Sequence, residues 1–156
     1  MQGATARDLP QLVALLNASD LPIAGFAGQV VNTIIAREGD RIVGCAAVEV
    51  YGAAGLLRSV AVAAERRGEG LGQRLTTAAM DLARRRGVRT LYLLTTTADR
   101  FFPKFGFTTI DRRELDPALA ASEELRGACP ATAVAMRRSS RARHRWWRRP
   151  LFVLLP

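Results

Sequence analysis

Three glycines at alternate positions, Gly68, Gly70 and Gly72, have a spacing that suits anion binding. They follow an apolar run at 56–62 and precede an amphipathic stretch that begins at Leu71. This order predicts a strand, a glycine-rich loop and a helix that opens on the loop. The first N–H groups of a helix lack intrahelical partners and lie at the positive end of its dipole, so they bind phosphate oxygens without a cationic side chain. The stretch therefore predicts a site for a ligand that carries a pyrophosphate.

The spacing of these glycines does not match two other phosphate-binding loops. A dinucleotide-binding loop requires Gly-x-Gly-x-x-Gly and an acidic residue about twenty positions further on. A P-loop requires Gly-Lys-Ser/Thr, whereas Gly72 is followed by Gln73. Arg66 and Arg67 lie at the rim of the predicted loop and offer further contacts to an anion. The loop is therefore of a different class.

The elements around the loop predict a mixed α/β fold with a mixed central sheet. Three strands joined by tight turns, at 33–37, 41–51 and 56–62, form an antiparallel meander. The helix after the loop is followed by a buried strand over 88–95, which gives a βαβ crossover with parallel strands. Five further elements are predicted on either side: a capped helix from Thr5, a short helix over 98–104, a strand from Phe107 to about Arg112, helix and loop over 116–128, and a last strand over 131–137.

The length and the charge distribution predict one domain whose partner is a small molecule. The chain has 156 residues and a net charge of +9, from 23 basic and 14 acidic residues. Five arginines and no acid lie in 139–156, so residues 1–138 carry 18 basic against 14 acidic residues and are only mildly basic. We therefore predict a single domain over 1–138 that binds neither nucleic acid nor membrane. Residues 139–156 are predicted to be a disordered basic and aromatic tail, although such a mixture also suits membrane or nucleic-acid binding.

The two cysteines, Cys45 and Cys129, predict neither a disulfide framework nor a metal site. A reducing, cytoplasmic setting is therefore expected, and no metal is expected. The first residues lack the basic head and apolar core of a signal peptide, and no apolar run approaches the eighteen residues of a membrane span.

Two motifs resemble the signatures of the GCN5-related N-acetyltransferases (GNATs). Residues 67–72, Arg-Gly-Glu-Gly-Leu-Gly, resemble the family's Arg/Gln-x-x-Gly-x-Gly/Ala loop, which holds the pyrophosphate of acetyl-coenzyme A (acetyl-CoA). Residues 98–107 are similar to its second signature, Ala-x-x-Phe-Tyr-x-x-x-Gly-Phe. The resemblance covers residues 5–138. Family members begin with a strand before the first helix, so the resemblance implies a first strand that is truncated to residues 1–4 or starts upstream.

Shorter segments are similar to two groups within that family. Residues 91–97, Leu-Tyr-Leu-Leu-Thr-Thr-Thr, resemble a stretch of N-acetylglutamate synthase catalytic domains. Residues 57–62 and 128–130 are more similar to the arsenic-resistance N-acetyltransferases of the ArsN type, which are thought to acetylate amino-acid-like arsenicals.

The resemblance implies acetyl-CoA as co-substrate and a set of residues that bind it. Backbone groups of Val60 and Val62 are expected to pair with the pantetheine amides as an added strand would. The thioester would lie where the strands ending at Val62 and Thr95 splay apart, near a backbone N–H that stabilises the developing oxyanion. The full set of expected acetyl-CoA-binding residues is Val60, Ala61, Val62, Arg67, Gly68, Glu69, Gly70, Leu71, Gly72, Gln73 and Phe102.

One residue departs from the family's pattern at the second motif. Phe102 stands where the family's tyrosine protonates the leaving thiolate. Because the coenzyme A thiol has a pKa near that of cysteine, about 8.5, loss of this acid is expected to cost on the order of 10²-fold in rate. Tyr51 or a water molecule is the expected substitute. Glu49, in the meander strand beside the catalytic strand, is the predicted general base, directly or through water; otherwise it is a solvent-facing strand residue.

Candidate substrate-binding residues are polar side chains near the predicted splay. Arg58, in an apolar strand, either binds a substrate carboxylate in bidentate fashion or pairs with a structural acid such as Glu49. Ser59 adjoins it. A run of threonines either hydrogen-bonds substrate or forms an ordinary strand end and helix cap: Thr95, Thr96 and Thr97.

These expectations combine into an acetyl-CoA-dependent N-acetyltransferase for a small amino-acid-like amine, with an arsenical such as arsinothricin as the specific candidate. An N-acetylglutamate synthase-like or general small-amine acetyltransferase is the first alternative. A non-catalytic acetyl-CoA-binding module is the second. A homodimer is left open.

Overall fold

A computed structural model describes residues 1–139 of the chain. Its framework is one seven-stranded sheet with the strand order β1-β2-β3-β4-β5-β7-β6. The strands are β1 (Gln2–Gly3), β2 (Thr33–Glu38), β3 (Arg41–Tyr51), β4 (Ala54–Val62), β5 (Thr90–Thr95), β6 (Thr108–Ile110) and β7 (Val134–Ser139). The two α-helices are α1 (Leu9–Ala18) and α2 (Leu71–Arg85).

The sheet combines an antiparallel meander with one parallel crossover. Strands β1 to β4 pair antiparallel in chain order. The connection through α2 then places β5 parallel to β4, as a strand-helix-strand unit requires. The mixed α/β fold that the sequence predicts is therefore confirmed.

Both helices bury one apolar face in the main core. Leu12, Leu15 and Leu16 of α1 are buried, as are Leu71 and the next apolar positions of α2 at helical spacing. A smaller second core on the other side of the sheet contains Leu56, Tyr92 and Leu119. Strand β4 therefore has apolar cover on both sides and forms a rigid base for the residues that follow it.

Several predicted boundaries are corrected by the structure. β4 begins at Ala54, two residues earlier than predicted, because Ala54 already pairs with Tyr51. β5 begins at Thr90 and β6 is confined to Thr108–Ile110. The short helix predicted over 98–104 is a 3₁₀ turn at Phe102–Phe105, which has Pro103 in its first turn and ends at Gly106 in the left-handed conformation.

The C-terminal part differs most from its prediction. The segment predicted as helix and loop over 116–128 contains a 3₁₀ helix at Pro117–Ala121 and a π-type turn at Glu124–Ala128. The last strand is β7, which inserts between β5 and β6 and pairs antiparallel with both. β7 continues to Ser139, one residue past the predicted domain boundary, and the remainder of the predicted tail lies outside the described residues.

Strand β1 is two residues long and pairs Gln2 with Ile35 and Gly3 with Ile34. Within residues 1–139, no helix has the length and apolar character needed to cross a membrane. The same range contains no group of three or more His, Cys, Asp and Glu side chains that could hold a metal ion.

Candidate active site

The two parallel strands of the crossover separate after three pairs of residues. β4 and β5 are paired only from Ala54 with Thr90 to Leu56 with Tyr92. Beyond that point β5 pairs with β7 on its far edge, while β4 continues to Val62 beside β3. The gap forms a cleft of about 990 Å³ whose walls include residues 57–62 of β4 and residues 93–98 at the end of β5.

A bulge in β4 lies on the wall of this cleft. Ala47 of β3 pairs with Arg58 and Cys45 pairs with Ala61, so Ser59 and Val60 together face a single residue. Ser59 has a φ of 57°, in the left-handed region that non-glycine residues seldom adopt. The Cys45 thiol donates to the Ser59 carbonyl at 3.2 Å and helps to hold this conformation. The bulge turns the β4 backbone at the point where the strands part.

The glycine loop closes one end of the cleft, and α2 begins there. Gly68 and Gly70 have φ values of 81° and 79°, and a Cβ atom at either would meet no atom within 4 Å. Both glycines are therefore required by backbone conformation and leave their surroundings open. The first helical hydrogen bond of α2 runs from Arg74 N–H to the Gly70 carbonyl at 3.2 Å. The N–H groups that precede Arg74 at the start of α2 have no backbone acceptor among residues 1–139.

Gly72 differs from the other two glycines because it lines the cleft directly. Its φ lies outside the left-handed region, and an added Cβ would lie 3.7 Å from both Phe101 Cζ and Val62 Cγ2, an ordinary contact. The fold thus tolerates a side chain here, whereas a ligand lying against the start of α2 would not.

The arginines at the rim are engaged by protein partners. Arg66 pairs with Glu38 at 3.1 Å and with Glu69 at 3.3 Å. Glu69, which the resemblance placed among the acetyl-CoA contacts, therefore has its carboxylate beside Arg66. Arg67 lines the cleft and donates from Nε to the Val62 carbonyl at 3.1 Å.

The backbone of β4 presents unpaired groups to the cleft near Val62. Ala63 N–H donates to the Val43 carbonyl at 2.8 Å, so the N–H of Ala63 faces β3. Neighbouring residues of a strand direct their backbone groups to opposite edges, so the N–H and C=O of Val62 face the cleft. The carbonyl already accepts from Arg67, while the N–H remains available to a ligand that extends the sheet.

The other end of the cleft, which we call the buried end, is lined by Pro22, Arg58, Ser59, Glu124 and Cys129. Arg58 lies four residues before Val62, about 13 Å along an extended strand. Its side chain is fully buried, at 0% exposure. Nη1 lies 3.5 Å from Glu49 Oε1, Nε lies 3.2 Å from Glu124 Oε1, and Nη2 donates to the Pro22 carbonyl at 3.2 Å.

The structure therefore shows Arg58 paired with buried acids, Glu49 and Glu124, which is one of the two roles predicted for it. Nε also donates to Ser59 Oγ at 3.1 Å. The guanidinium reaches no solvent, and its groups face protein acceptors. Bidentate binding of a substrate carboxylate by Arg58 would therefore require these contacts to open.

Glu49 lies behind Arg58 and is not among the described residues that line the cleft. Its side chain is 3% exposed, because Oε1 faces Arg58 and Oε2 accepts from the Ser122 hydroxyl at 2.6 Å. This placement shows that Glu49 does not face solvent. Because Glu49 does not line the cleft, a role as base would require a water molecule between its carboxylate and the substrate.

Tyr51 is also placed away from the cleft, packed against the second core. Burial raises the pKa of its hydroxyl, and the nearby Glu49 carboxylate adds to this effect. Its position at the far end of β3 does not suit protonation of a thiolate held near the bulge.

Sequence reasoning assigned no site role to Glu124 and Cys129, which line the buried end, or to Ser122, which lies behind it. Ser122 joins Glu49 to Glu124, since its hydroxyl donates to Glu49 and accepts from the Glu124 N–H at 3.2 Å. Burial raises the pKa of Glu124, an effect that the nearby Arg58 opposes. Burial likewise raises the pKa of the Cys129 thiol to about 12, and the neighbouring Glu124 carboxylate adds to the shift. In the sequence, Glu124 lies five residues before the Cys129-Pro130 pair. This arrangement does not by itself indicate a catalytic or binding role.

The threonines and Phe102 occupy the opposite wall. Thr95 Oγ1 accepts from Ala98 N–H at 2.9 Å and so caps the following turn, whereas Thr96 and Thr97 are exposed in the cleft. Phe102 is buried, lines the cleft, and packs edge-to-face on Phe101 with ring centroids 5.1 Å apart. No hydroxyl therefore stands at the position of the motif's tyrosine.

A family model described as acetyltransferase (GNAT) domain matches residues 29–109, more than half of the chain. The chain therefore belongs to the GNAT acetyltransferase family, and it is an N-acetyltransferase with acetyl-CoA as co-substrate. No curated protein matches the chain in sequence.

Solved structures agree with this fold. Rv2747 from Mycobacterium tuberculosis, in complex with CoA and NLQ, has a TM-score of 0.71 at 21% identity and is matched over 88% of this chain and 97% of its own. N-acetylglutamate synthase from Neisseria gonorrhoeae, complexed with coenzyme A and N-acetyl-glutamate, has a TM-score of 0.76 at 23% identity over 92% of this chain. This chain spans about a third of that synthase, 35% of its length. An acetyltransferase from Streptococcus agalactiae has a TM-score of 0.67 at 22% identity, over 89% of this chain and 99% of its own.

The cleft fits acetyl-CoA on its own geometry. The open surroundings of Gly68 and Gly70 and the unpaired N–H groups at the start of α2 suit the pyrophosphate. The cleft edge of β4 suits the amides of the pantetheine arm. Acetyl-CoA bound there would supply an activated acetyl thioester, with its thioester in the gap between β4 and β5.

Proposed function

We propose that this protein transfers the acetyl group of acetyl-CoA to the amine of a small amino-acid-like substrate that enters the buried end of the cleft. One observation carries the proposal: a single cleft joins the glycine loop at the start of α2 to a buried end lined by Arg58 and Glu124, with Glu49 behind Arg58. The loop suits the diphosphate, and Glu124 supplies a carboxylate that an amine in the cleft can reach.

Different residues along the cleft bind different parts of acetyl-CoA. Gly68, Gly70 and the start of α2 hold the diphosphate. The N–H of Val62 pairs with the pantetheine arm, and the bulge at Ser59 aims the thioester carbonyl at the buried end. The neutral amine nitrogen then forms a bond to the acetyl carbon while the carbon–sulfur bond breaks. The amide and coenzyme A are the products.

The proposed substrate class rests on amine chemistry. A lysine side chain, with a pKa of about 10.4, is neutral only in a few parts in ten thousand at pH 7, whereas an α-amino group near pKa 8 is about a tenth neutral. The free energy needed to deprotonate the amine at pH 7 therefore differs by roughly 3 kcal/mol between the two. An amino-acid amine lies between these limits and places a smaller demand on the few carboxylates available.

Within this class, we propose an arsenical such as arsinothricin as the specific substrate. The support is the similarity of residues 57–62 and 128–130 to the ArsN type. Both segments line the cleft, and Arg58, Ser59 and Cys129 within them line the buried end, where an acceptor would lie. The two cysteines are unpaired, and Cys45 is buried, so an arsenical would be recognised as an amino acid rather than bound by several thiolates.

We further propose that residues 1–138 form the catalytic domain, that 139–156 are an extension without a catalytic role, and that the protein works in the cytoplasm. The free thiols of Cys45 and Cys129 are consistent with a reducing compartment.

The test is release of coenzyme A thiol with purified protein and a panel of amines. The panel contains arsinothricin, neutral amino acids, glutamate and a no-amine control, and the acetylated product is identified by mass spectrometry. Turnover of arsinothricin or neutral amino acids supports the proposal. Turnover confined to glutamate indicates the synthase-like alternative, and no amine-dependent turnover despite acetyl-CoA binding indicates a non-catalytic module.

A further inference from the structure

The buried charges at the buried end do not balance. One guanidinium, Arg58, lies between two carboxylates, Glu49 and Glu124, and the three side chains are 0%, 3% and 4% exposed. A buried charge without a partner is costly, so a net negative cluster is relieved by a bound cation or by a proton. The described residues that line the buried end provide no second cationic side chain.

Glu124 is the carboxylate of this cluster that reaches the cleft. It is a lining residue and Glu49 is not. Glu124 Oε1 faces Arg58 Nε at 3.2 Å, and Oε2 has only the Cys129 thiol at 3.5 Å, a weak donor. Glu49, by contrast, has one oxygen against Arg58 and the other in a 2.6 Å hydrogen bond from Ser122. An incoming amine therefore finds spare acceptor capacity on Glu124 Oε2.

We propose, on the basis of the function proposed above, that Glu124 is the catalytic base: it binds the acceptor as an ammonium and takes its proton. Glu49 is a positioning residue that holds Arg58 and Ser122. This assignment replaces the direct role predicted for Glu49 with a residue 75 positions further along the chain.

Acetyl transfer begins with deprotonation of the bound ammonium. An ammonium N–H proton passes to Glu124 Oε2, leaving a lone pair on nitrogen. That pair forms the bond to the acetyl carbon, and the carbon–sulfur pair leaves with sulfur as thiolate. The nitrogen then loses a second proton as it becomes an amide, and the thiolate takes up one proton. Glu124 passes its proton to solvent, so one proton is released for each amide formed.

The surroundings of Glu124 raise its pKa above that of an ordinary carboxyl, which is the direction that a general base requires. Burial raises its pKa, Arg58 on β4 and the Cys129 thiol in its own loop lower it, and Glu49 on β3 raises it. Tyr51 faces the same cluster through Ser122 and Glu49. Because a general base works best when its pKa approaches the working pH, these opposed effects favour the role.

The test compares pH profiles of kcat/KM for wild type, Glu124→Gln, Glu124→Asp and Glu49→Gln. If the acceptor binds as an ammonium, the plot of kcat/KM against pH is bell-shaped. Activity falls at low pH because Glu124 is protonated, and at high pH because the amine loses its charge. We expect Glu124→Gln to lose about 10²-fold or more at pH 7 and to lose the low-pH limb set by Glu124, so that its kcat/KM falls at lower pH only as the free amine becomes protonated. Glu124→Asp retains the limb at a reduced rate.

Glu49→Gln provides the sharpest comparison. Because the Glu49 charge raises the pKa of Glu124, its removal shifts the low-pH limb to lower pH without abolishing it. Glu123→Gln is the matched control, since Glu123 is exposed and pairs with Arg126 at 3.7 Å. Its profile is expected to match wild type. Calorimetric binding of acetyl-CoA verifies that each variant is folded.

Two results overturn the assignment: a Glu124→Gln profile that keeps the wild-type low-pH limb, or a Glu49→Gln profile in which that limb disappears. Either result can occur while wild type turns over amines, in which case only the assignment of the base fails. If wild type binds acetyl-CoA but releases thiol with no amine, the proposed function fails as well.

Discussion

Replacing Arg58 by methionine should destabilise the protein strongly, because it leaves two buried carboxylates without their cation. The guanidinium faces Glu49 at 3.5 Å and Glu124 at 3.2 Å, and its side chain is 0% exposed. Removing one partner of a buried ion pair costs about 3 to 5 kcal/mol of unfolding free energy. This is a large share of the roughly 5 to 15 kcal/mol that stabilises a typical domain.

The loss should depend on pH in a defined direction. Without Arg58, burial is opposed only by the weak hydrogen bond from Cys129, so the pKa of Glu124 rises further above the ordinary 4.5. The native state then binds a proton that the unfolded state has released, so the stability of the variant falls as pH rises above 4.5 and recovers as pH is lowered toward it. The double variant Arg58→Met/Glu124→Gln should recover part of the loss at neutral pH, because the orphaned charge is gone.

Urea denaturation followed by circular dichroism, at pH 7.5 and pH 5, measures these differences. Arg113→Met is the matched control, since Arg113 also contacts a carboxylate, Asp111 at 3.1 Å, but its side chain is 90% exposed. Its unfolding midpoint should equal that of wild type. A loss below about 1 kcal/mol for Arg58→Met, or a loss that grows as pH is lowered, would refute the reasoning about the buried cluster.

Two further predictions concern catalysis. Phe102→Tyr places a hydroxyl on the cleft wall and should raise kcat by about tenfold to a hundredfold. Phe101→Tyr, on the neighbouring ring, is the control. Equal rates for the two variants would contradict a role for a hydroxyl at position 102. Glutamine should have a higher kcat/KM than the nearly isosteric glutamate, because a second substrate carboxylate would meet the net negative charge of Arg58, Glu49 and Glu124; a preference for glutamate in thiol-release assays would contradict this.

Local sequence patterns predicted the part of the fold that follows from periodicity and turn chemistry. The amphipathic spacing of Leu71, Leu75 and Ala79 defines the buried face of α2, and these residues are all buried. The turn at Glu38 to Arg41 joins β2 to β3 as predicted. The insertion of β7 between β5 and β6 was not predicted, because pairing between strands remote in sequence leaves no local signal.

The buried end of the site was hidden for a related reason. The hydrogen bond between Ser122 and Glu49 spans 73 positions, and both residues have neighbours that resemble ordinary strand and loop sequence. Arg58 in an apolar strand signalled a buried partner, and Glu49 was identified as one candidate. Glu124 was not, because its segment, Glu124–Ala128, adopts a π-type turn that sequence patterns do not specify.

Calorimetric titration of acetyl-CoA into wild type and Gly72→Leu tests most directly whether the start of α2 and the splayed strands hold this co-substrate. Gly72 lines the cleft and its backbone accepts a side chain, so the variant should fold while its side chain occupies the ligand's path. Thr77→Leu, on an exposed position of the same helix, is the control. We predict saturable binding to wild type and Thr77→Leu, and an affinity at least about tenfold weaker, or no binding, for Gly72→Leu. Absence of binding to wild type, or equal affinity in Gly72→Leu, would contradict the account.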